Sequence, residues 1–210
     1  ALDMTKGLVT VAVPGGPEML FSEKMACVDC GVDIPVLEPR SFSFNSRFGA
    51  CSQCNGLGSE LEVNLKRLIQ NPSDPVSRLT LTFGGRELLE FVRESLRGLL
   101  NHFGVDDALA FETIPQRVLD ALRRGLDVPV QFTYGDFVYK SRFEGLNRWF
   151  LDRIENTSSD RRRQQLLSFM VETDCHACGG SRLRPESRAV RINQRSISDY
   201  CRVTLDECLK

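Results

Sequence analysis

Two pairs of cysteines in the first third of the chain have the residue type and spacing of a metal site. Cys27 and Cys30 form one C-x-x-C pair, and Cys51 and Cys54 form a second pair after twenty intervening residues. This spacing lies at the upper edge of that seen in four-cysteine zinc sites. Zinc takes four thiolates at tetrahedral corners, and such a closed set leaves no position for a reactive water. We therefore predict one structural zinc site at these four cysteines, which favours a metal-supported binding surface over hydrolysis.

Glycines beside these pairs favour the same interpretation. Gly31 follows Cys30 directly, and Gly56 and Gly58 follow Cys54. Glycine tolerates the positive φ with which a backbone turns its N–H groups toward metal-bound sulfurs. The alternatives are redox C-x-x-C pairs or structural disulfides. A redox pair is normally single and opens a helix after a strand, and neither pair has that setting.

The composition is ordinary for a soluble globular protein and excludes several classes. The chain has 210 residues, 41% hydrophobic and 26% charged, and a formal net charge of −1, so no global basic field marks a nucleic-acid partner. There is no apolar run of about 18 residues and no signal peptide, which predicts no membrane contact. Cysteines that lie mostly in C-x-x-C pairs suit a reducing, cytoplasmic compartment. Because the chain begins without Met and stops inside a predicted helix, we expect a piece of a longer protein.

Hydrophobic patterning predicts an α+β fold, in which a small zinc module with short strands precedes a mostly helical domain with one β-hairpin. Residues 8–13 and 19–25 have the composition of strands. Alternation on both sides of Gly135-Asp136 predicts the hairpin. Apolar residues at helical spacing predict helices near residues 88–103, 115–124, 146–154 and 160–170. We place the domains at residues 1–75, 76–173 and 174–210, since residues 71–75 are rich in turn formers.

Basic residues are concentrated in the later part of the chain. Residues 140–195 contain twelve basic residues, eleven of them arginine, against seven acidic ones. Arginine binds phosphate oxygens bidentately, and phosphate contacts position a protein on DNA without reading sequence. The alternative is a solvated helix face. We predict that duplex DNA is contacted, without sequence preference, by the following residues: Lys140, Arg142, Arg148, Arg153, Arg161, Arg162 and Arg163.

Three segments give the chain a family resemblance. Residues 38–58 (EPRSFSFNSRFGACSQCNGLG) resemble the first zinc module of the UvrA family, the damage-recognition ATPases of bacterial nucleotide excision repair. Residues 143–154 (FEGLNRWFLDRI) and 175–192 (CHACGGSRLRPESRAVRI) are similar to the end of that family's insertion domain and to its return into the first ATPase half.

The resemblance implies a DNA-binding insertion domain within an ABC-type ATPase. It also implies a homodimeric parent protein of the excinuclease that acts in DNA repair and the SOS response with a helicase subunit of the UvrB type. ATP would be used only by that full-length parent, because this chain has neither a G-x-x-x-x-G-K-[ST] phosphate loop nor a Leu-Ser-Gly-Gly signature. The chain itself therefore has no catalytic motif.

A third C-x-x-C pair, Cys175 and Cys178, is the remaining candidate metal site. The resemblance implies that its partner thiolates lie upstream of this chain, so we expect a half-site here. His176, Cys201 and Cys208 are the local alternatives as additional ligands. A second zinc is therefore possible if local residues complete the site.

Two other functions stay open. The chain could be a protein-interaction module that contacts the helicase subunit. It could also be a zinc module of the DnaJ chaperone type, since Cys51 to Gly58 fits C-x-x-C-x-G-x-G, although such modules carry four repeats close together. A freestanding enzyme is the weakest interpretation, because the two histidines leave little acid–base chemistry near neutral pH.

Overall fold

The structure, a computed structural model, describes residues 8–16, 18–22, 35–134 and 137–208 and mixes short strands with helices, which confirms the predicted α+β class. The strands are β1 (Leu8–Val11), β2 (Met19–Ser22), β3 (Ser59–Val63), β4 (Leu126–Tyr134), β5 (Phe137–Phe143), β6 (Met170–Asp174), β7 (Arg191–Ile192) and β8 (Arg195–Ser196). The helices are α1 (Leu65–Leu68), α2 (Gly85–Phe103), α3 (Gln116–Arg124), α4 (Gly145–Asn156), α5 (Asp160–Leu167), α6 (Pro185–Ala189), α7 (Ile197–Tyr200) and α8 (Leu205–Cys208).

The chain forms two compact units. One contains residues Ala1–Glu60 and Asp174–Lys210, and the other contains Leu61–Thr173. The chain passes into the second unit within β3 and leaves it near the end of β6, and these two strands pair with each other. Leu65, Leu68 and Val76 are buried in the core of the second unit.

The core of the second unit is built around α2. This helix follows Gly84, at φ 96°, and ends at Gly104, at φ 65°, both in the left-handed region that favours glycine. Leu88, Val92 and Leu96 recur at helical spacing and are fully buried. Its other face is charged, and no helix in the described ranges is long and apolar enough to cross a membrane.

The predicted hairpin is present and packs on α2. β4 and β5 are antiparallel, with Val130 opposite Ser141 and Phe132 opposite Tyr139. Gly98 of α2 makes the close approach possible, because a Cβ atom there would lie 2.5 Å from the ring of Phe132. The hairpin thus packs closely on α2 at Gly98. After β5 the chain continues into α4.

The first unit has little regular structure. β1 and β2 form a short antiparallel hairpin, as the sequence predicts, and β7 and β8 form another. Its α7 begins with a capping box, in which the hydroxyl of Ser196 accepts from the N–H of Asp199 and the Asp199 carboxylate accepts from the N–H of Ser196. The main buried cluster among its described residues consists of four cysteines.

Candidate metal centre and nucleic-acid interface

Four buried thiols converge in the first unit. The sulfur atoms of Cys51, Cys54, Cys175 and Cys178 all lie within 4.8 Å of one another. The Sγ atoms of Cys54 and Cys178 are 3.8 Å apart. A tetrahedral zinc ion with Zn–S bonds of about 2.3 Å holds its sulfurs about 3.8 Å apart. The geometry and the soft donor set therefore fit a four-thiolate metal site.

This pairing differs from the one that the sequence suggested. Cys51 and Cys54 are joined by Cys175 and Cys178, so the latter pair is not a half-site that waits for thiolates from elsewhere. A tetrahedral ion is saturated by four thiolates, and the two pairs already complete such a set. The predicted ligands Cys27 and Cys30 lie outside the described residues.

The two cysteine pairs form turns of the same backbone design, which we call knuckles. After Cys54, the residues with positive φ are Asn55 at 49°, Gly56 at 82° and Gly58 at 84°. After Cys178, the residues at the same three positions also have positive φ, namely Gly179 at 58°, Gly180 at 77° and Arg182 at 68°. In the first knuckle this path directs the N–H of Gly58 onto the sulfur of Cys54 at 3.2 Å. A donor of this kind stabilises a thiolate.

Each knuckle also holds the start of the other. The N–H of Cys51 donates to the carbonyl of Arg182 at 2.8 Å, and the N–H of Cys175 donates to the carbonyl of Gly58 at 2.9 Å. Arg182 and Gly58 occupy equivalent positions, four residues after the second cysteine of their knuckles. These reciprocal hydrogen bonds relate the two knuckles by approximate twofold symmetry. Each knuckle thereby contributes two thiols to the cluster.

The electrostatics of the cluster differ from thiol to thiol. Burial raises the pKa of the Cys175 thiol to about 12. Burial acts in the same sense on Cys54, but the N–H of Gly58 and the thiols of Cys175 and Cys178 hold the pKa of Cys54 below its ordinary value. One buried thiolate can be stabilised by such donors, whereas four need a positive ion among them.

The other ligands considered for this site lie apart from it in the described chain. The ring of His176 contacts the Glu60 carboxylate, with Nδ1 and Oε1 2.7 Å apart, and its backbone N–H donates to the same oxygen at 2.9 Å. Cys201 is exposed and is not among the clustered thiols. The side chain of Cys208 lies outside the described residues. Among the described side chains, the four clustered thiols thus form the candidate metal centre without His176 or Cys201.

The predicted DNA-contacting residues lie on three elements of the second unit. Lys140 and Arg142 are two residues apart on β5, so they share one face of the hairpin. Arg148 and Arg153 lie on α4, and Arg161, Arg162 and Arg163 lie in the first turn of α5. The structure brings Arg142, Arg148 and Arg153 to one cavity. It does not place Lys140 or the three arginines of α5 along that cavity.

These basic side chains differ in how free they are to meet a phosphate. Among the described residues, the side chains of Lys140, Arg142 and Arg161 have neither an ion pair nor a hydrogen bond, and all three are exposed. Arg148 pairs with Asp152 at 3.1 Å but is 60% exposed, so this pair is weak and easily exchanged.

Two of the predicted DNA-contacting arginines make hydrogen bonds or ion pairs within the protein. Arg163 donates to the backbone carbonyls of Ile154 and Thr157, where α4 ends, and pairs with Asp160. Arg153 pairs with Glu87 at 3.3 Å and lies 3.5 Å above the Trp149 ring. These two arginines have structural partners that the charge pattern of the sequence did not reveal.

Aromatic residues line the same cavity, and of these the sequence pointed only to Tyr139, as a ring on the hairpin that could stack on distorted bases. The volume of the cavity is about 480 Å³, and its aromatic lining comes from four elements. The aromatic residues are Phe91, Phe132, Tyr139, Phe143 and Trp149. In the sequence, Trp149 and Phe143 read only as core positions of a helix and a strand. An available signal was the alternation of Tyr139 and Phe143 with Lys140 and Arg142 on one strand.

Comparison with known proteins gives consistent matches. Residues 65–168 match the sequence model of a family described as the UvrA DNA-binding domain. The chain is 35% identical over 216 residues to UvrABC system protein A of Oceanobacillus iheyensis, which covers 100% of this chain and 22% of that protein. It is 35% identical over 213 residues to the protein of the same name from Halalkalibacterium halodurans, with 99% and 22% covered. The chain therefore spans less than a quarter of the length of these relatives.

A solved structure is also similar. UvrA2 from Deinococcus radiodurans matches 79% of this chain and 23% of its own chain, with 22% sequence identity and a TM-score of 0.49.

Proposed function

Because the chain belongs to the UvrA family, we propose that its second unit binds duplex DNA through the arginines of β5, α4 and α5. The role is that of a DNA-contacting part of a nucleotide excision repair protein. The observation that carries the proposal is that residues 65–168, which match the UvrA DNA-binding domain, include all seven predicted contacts.

The exposed cations are suited to phosphate. Arg142, Arg148 and Arg161 are exposed on a strand and two helices, and arginine binds phosphate oxygens bidentately. Phosphate contacts of this kind carry no sequence information. We therefore expect similar affinity for duplexes of unrelated sequence and a strong dependence of that affinity on salt.

The thiolate cluster would hold zinc as a structural ion. Cys51, Cys54, Cys175 and Cys178 supply all four ligands, so the ion would stabilise the fold of the first unit and take no part in chemistry. This role follows from the soft, buried donor set. ATP use, a helicase partner, a homodimeric state and a cytoplasmic location concern the longer protein, and they stay predictions here.

Fluorescence anisotropy with short labelled duplexes tests DNA binding. The variant is Arg142→Glu with Arg148→Glu and Arg161→Glu, and the control reverses charge at Arg78 and Arg117, two exposed arginines outside the proposed contacts. Each phosphate contact contributes about 0.9 to the slope of log K against log salt. We expect the salt dependence of the triple variant to be weaker by the slope of about three phosphate contacts, and its affinity to fall at least tenfold. The control should keep the slope and the affinity of the unsubstituted chain. Equal losses in both proteins would contradict the proposed face, and no binding by the unsubstituted chain would overturn the function.

A further inference from the structure

The cavity of the second unit has a chemistry that phosphate binding does not use. It lies among α2, β4, β5 and α4, and both arginines and aromatic rings line it. Pockets of about 300–1,000 Å³ with an apolar lining and a few convergent polar groups are typical of small-ligand sites. At about 480 Å³, this cavity is within that range. The question is which ligand the lining fits.

Aromatic rings from four elements contribute to the lining. Phe91 and Trp149 have ring centroids 6.4 Å apart and planes 20° apart. The ring centroids of Phe132 and Tyr139 lie 5.8 Å apart on the paired strands of the hairpin. Tyr139 is 49% exposed, so part of its ring is available at the mouth. Aromatic side chains can stack on any nucleobase, because every base has a π face.

A buried polar group lies in the same lining. Ser95 is only 3% exposed and lines the cavity. Its hydroxyl can both donate and accept a hydrogen bond. Asp152 and Glu94 also line the cavity and can accept hydrogen bonds from ring N–H or amino groups. These polar groups therefore suit a planar ligand whose edge carries hydrogen-bond donors and acceptors.

The lining includes three arginines that can pair with phosphate, together with three carboxylates. Arg142 has no ion-pair partner in the described ranges, and Arg148 is held only by an exposed pair with Asp152. Both line the cavity with Arg153. A nucleotide placed here would set its base against the rings and its phosphate against the guanidinium groups. An uncharged flat ligand would leave these arginines unused.

We propose that this cavity receives a nucleobase that has left the stack of bound DNA. The inference rests on the proposed function and adds a site to it. Extruding a base from a duplex costs a few kcal/mol, and the cost is least for a mismatched, damaged or unpaired base. A pocket that takes extruded bases therefore favours DNA in which a base is already weakly stacked. This gives the surface a preference that phosphate contacts alone do not supply.

The chain contains its own reporter for this site. Trp149 is the single tryptophan of the 210 residues and lines the cavity. Tryptophan fluorescence is measured while the whole chain is titrated with three probes: an intact duplex, the same duplex with one unpaired thymine, and a short oligo-thymidine strand. We expect quenching by the second and third probes and little by the first. Affinity for the duplex with the unpaired base should exceed that for the intact duplex by at least threefold.

Two substitutions locate the effect. Tyr139→Ala removes an exposed stacking ring, and Ser95→Leu fills the floor of the cavity. The matched control is Phe137→Ala, which removes a ring of the same strand that is 78% exposed and does not line the cavity. Both cavity variants should bind the two duplexes alike, whereas the control keeps the preference. Tyr139→Ala serves as the main test because loss of an exposed ring leaves the buried core in place.

The outcomes separate the two proposals. If Tyr139→Ala abolishes both the preference for the duplex with an unpaired base and the quenching of Trp149 fluorescence, the proposed base-binding cavity is supported. Tight, salt-dependent binding of all duplexes without Trp149 quenching overturns the pocket and leaves the proposed function standing. Quenching that survives in both cavity variants also overturns it. If none of the probes binds, the proposed function fails and the pocket fails with it.

Discussion

The two units of this protein are stabilised by different means. In the second unit, the described core is a continuous cluster of aliphatic and aromatic side chains packed around α2, many of them fully buried. In the first unit, the corresponding cluster among described residues is four cysteines. Small modules that cannot bury enough apolar surface depend on a metal or disulfides for stability. The comparison teaches that one chain can join a unit with a hydrophobic core to a unit whose described core is a cluster of thiols, so we expect each to respond to a different perturbation.

The largest expected effect comes from the thiols. Cys175→Ser should release the metal and unfold the knuckles as completely as Cys51→Ser, because both thiols belong to one tetrahedral set. Structural zinc contributes an apparent 10–16 kcal/mol or so in small zinc modules. Metal content per chain and limited proteolysis of the first unit report the loss. The control is Cys201→Ser, an exposed thiol outside the cluster. Full metal content in Cys175→Ser would contradict the pairing of the two knuckles.

A substitution in the hydrophobic core should destabilise the second unit without loss of bound metal from the first. Leu96 is fully buried on α2, so Leu96→Ala should lower the free energy of unfolding of this unit by about 2–5 kcal/mol. Leu167→Ala is the matched control, because Leu167 is 39% exposed and has less contact to lose. Thermal unfolding measured with Trp149 fluorescence separates them. A loss of bound metal in Leu96→Ala would show that the two units do not respond separately.

A smaller loss of stability is expected at Gly98, where the hairpin packs on α2. Gly98→Ala would place a Cβ atom 2.5 Å from Phe132 and 3.0 Å from the carbonyl of Gln131. Overpacking of this kind costs about 1–3 kcal/mol, which exceeds the gain of about 1 kcal/mol in helix propensity. We expect lower stability and a shifted Trp149 emission, since the hairpin lines the same cavity. A more stable Gly98→Ala protein would show that the approach is looser than described.

The smallest effect concerns the helix that carries three arginines. Ser159 caps α5, and its hydroxyl accepts from the N–H of Arg162 at 3.4 Å. Ser159→Ala should cost about 0.5–1 kcal/mol, because this bond is long and the helix end is exposed. Ser158→Ala is the control next to it, since the structure gives Ser158 no cap role. Chemical denaturation of the two variants measures the difference, and equal stability would argue against the cap.

The elements of the second unit were predictable from the sequence because their signals are local. The hairpin follows from alternation on both sides of a Gly-Asp turn, and β4 and β5 occupy the expected residues. The span of α2 follows from Leu88, Val92, Leu96 and Leu99 at helical spacing before Gly104. In these segments, propensity and periodicity agree with the packing of the fold.

The metal site was harder to predict because its ligands are distant in sequence. The spacing of Cys27, Cys30, Cys51 and Cys54 favoured a local set, whereas the structure joins knuckles separated by the whole second unit. Loop-closure entropy grows only slowly with length, and the paired strands β3 and β6 lead into and out of that unit side by side. The signal that could have shown it is the run of turn-forming residues after Cys54 and Cys178, which adopt the same positive φ values.

The candidate DNA interface was predicted in outline only. Counting charges found the arginines of α4 and α5, but it gave Arg163 the same weight as Arg161. The structure shows that Arg163 bonds carbonyls at the end of α4, while Arg161 has no such partner in the described chain. Most of the aromatic lining was missed because Phe91 and Trp149 are partly buried, and periodicity cannot distinguish a cavity wall from a filled core.

Hydrogen exchange with and without a zinc chelator tests the contrast between the units most directly. We predict faster exchange after chelation in residues 49–58 and 174–184, which hold the four thiols, and unchanged protection in residues 88–100 of α2. Protection lost to the same degree in both segments, or protection unchanged in the knuckles, would contradict the account.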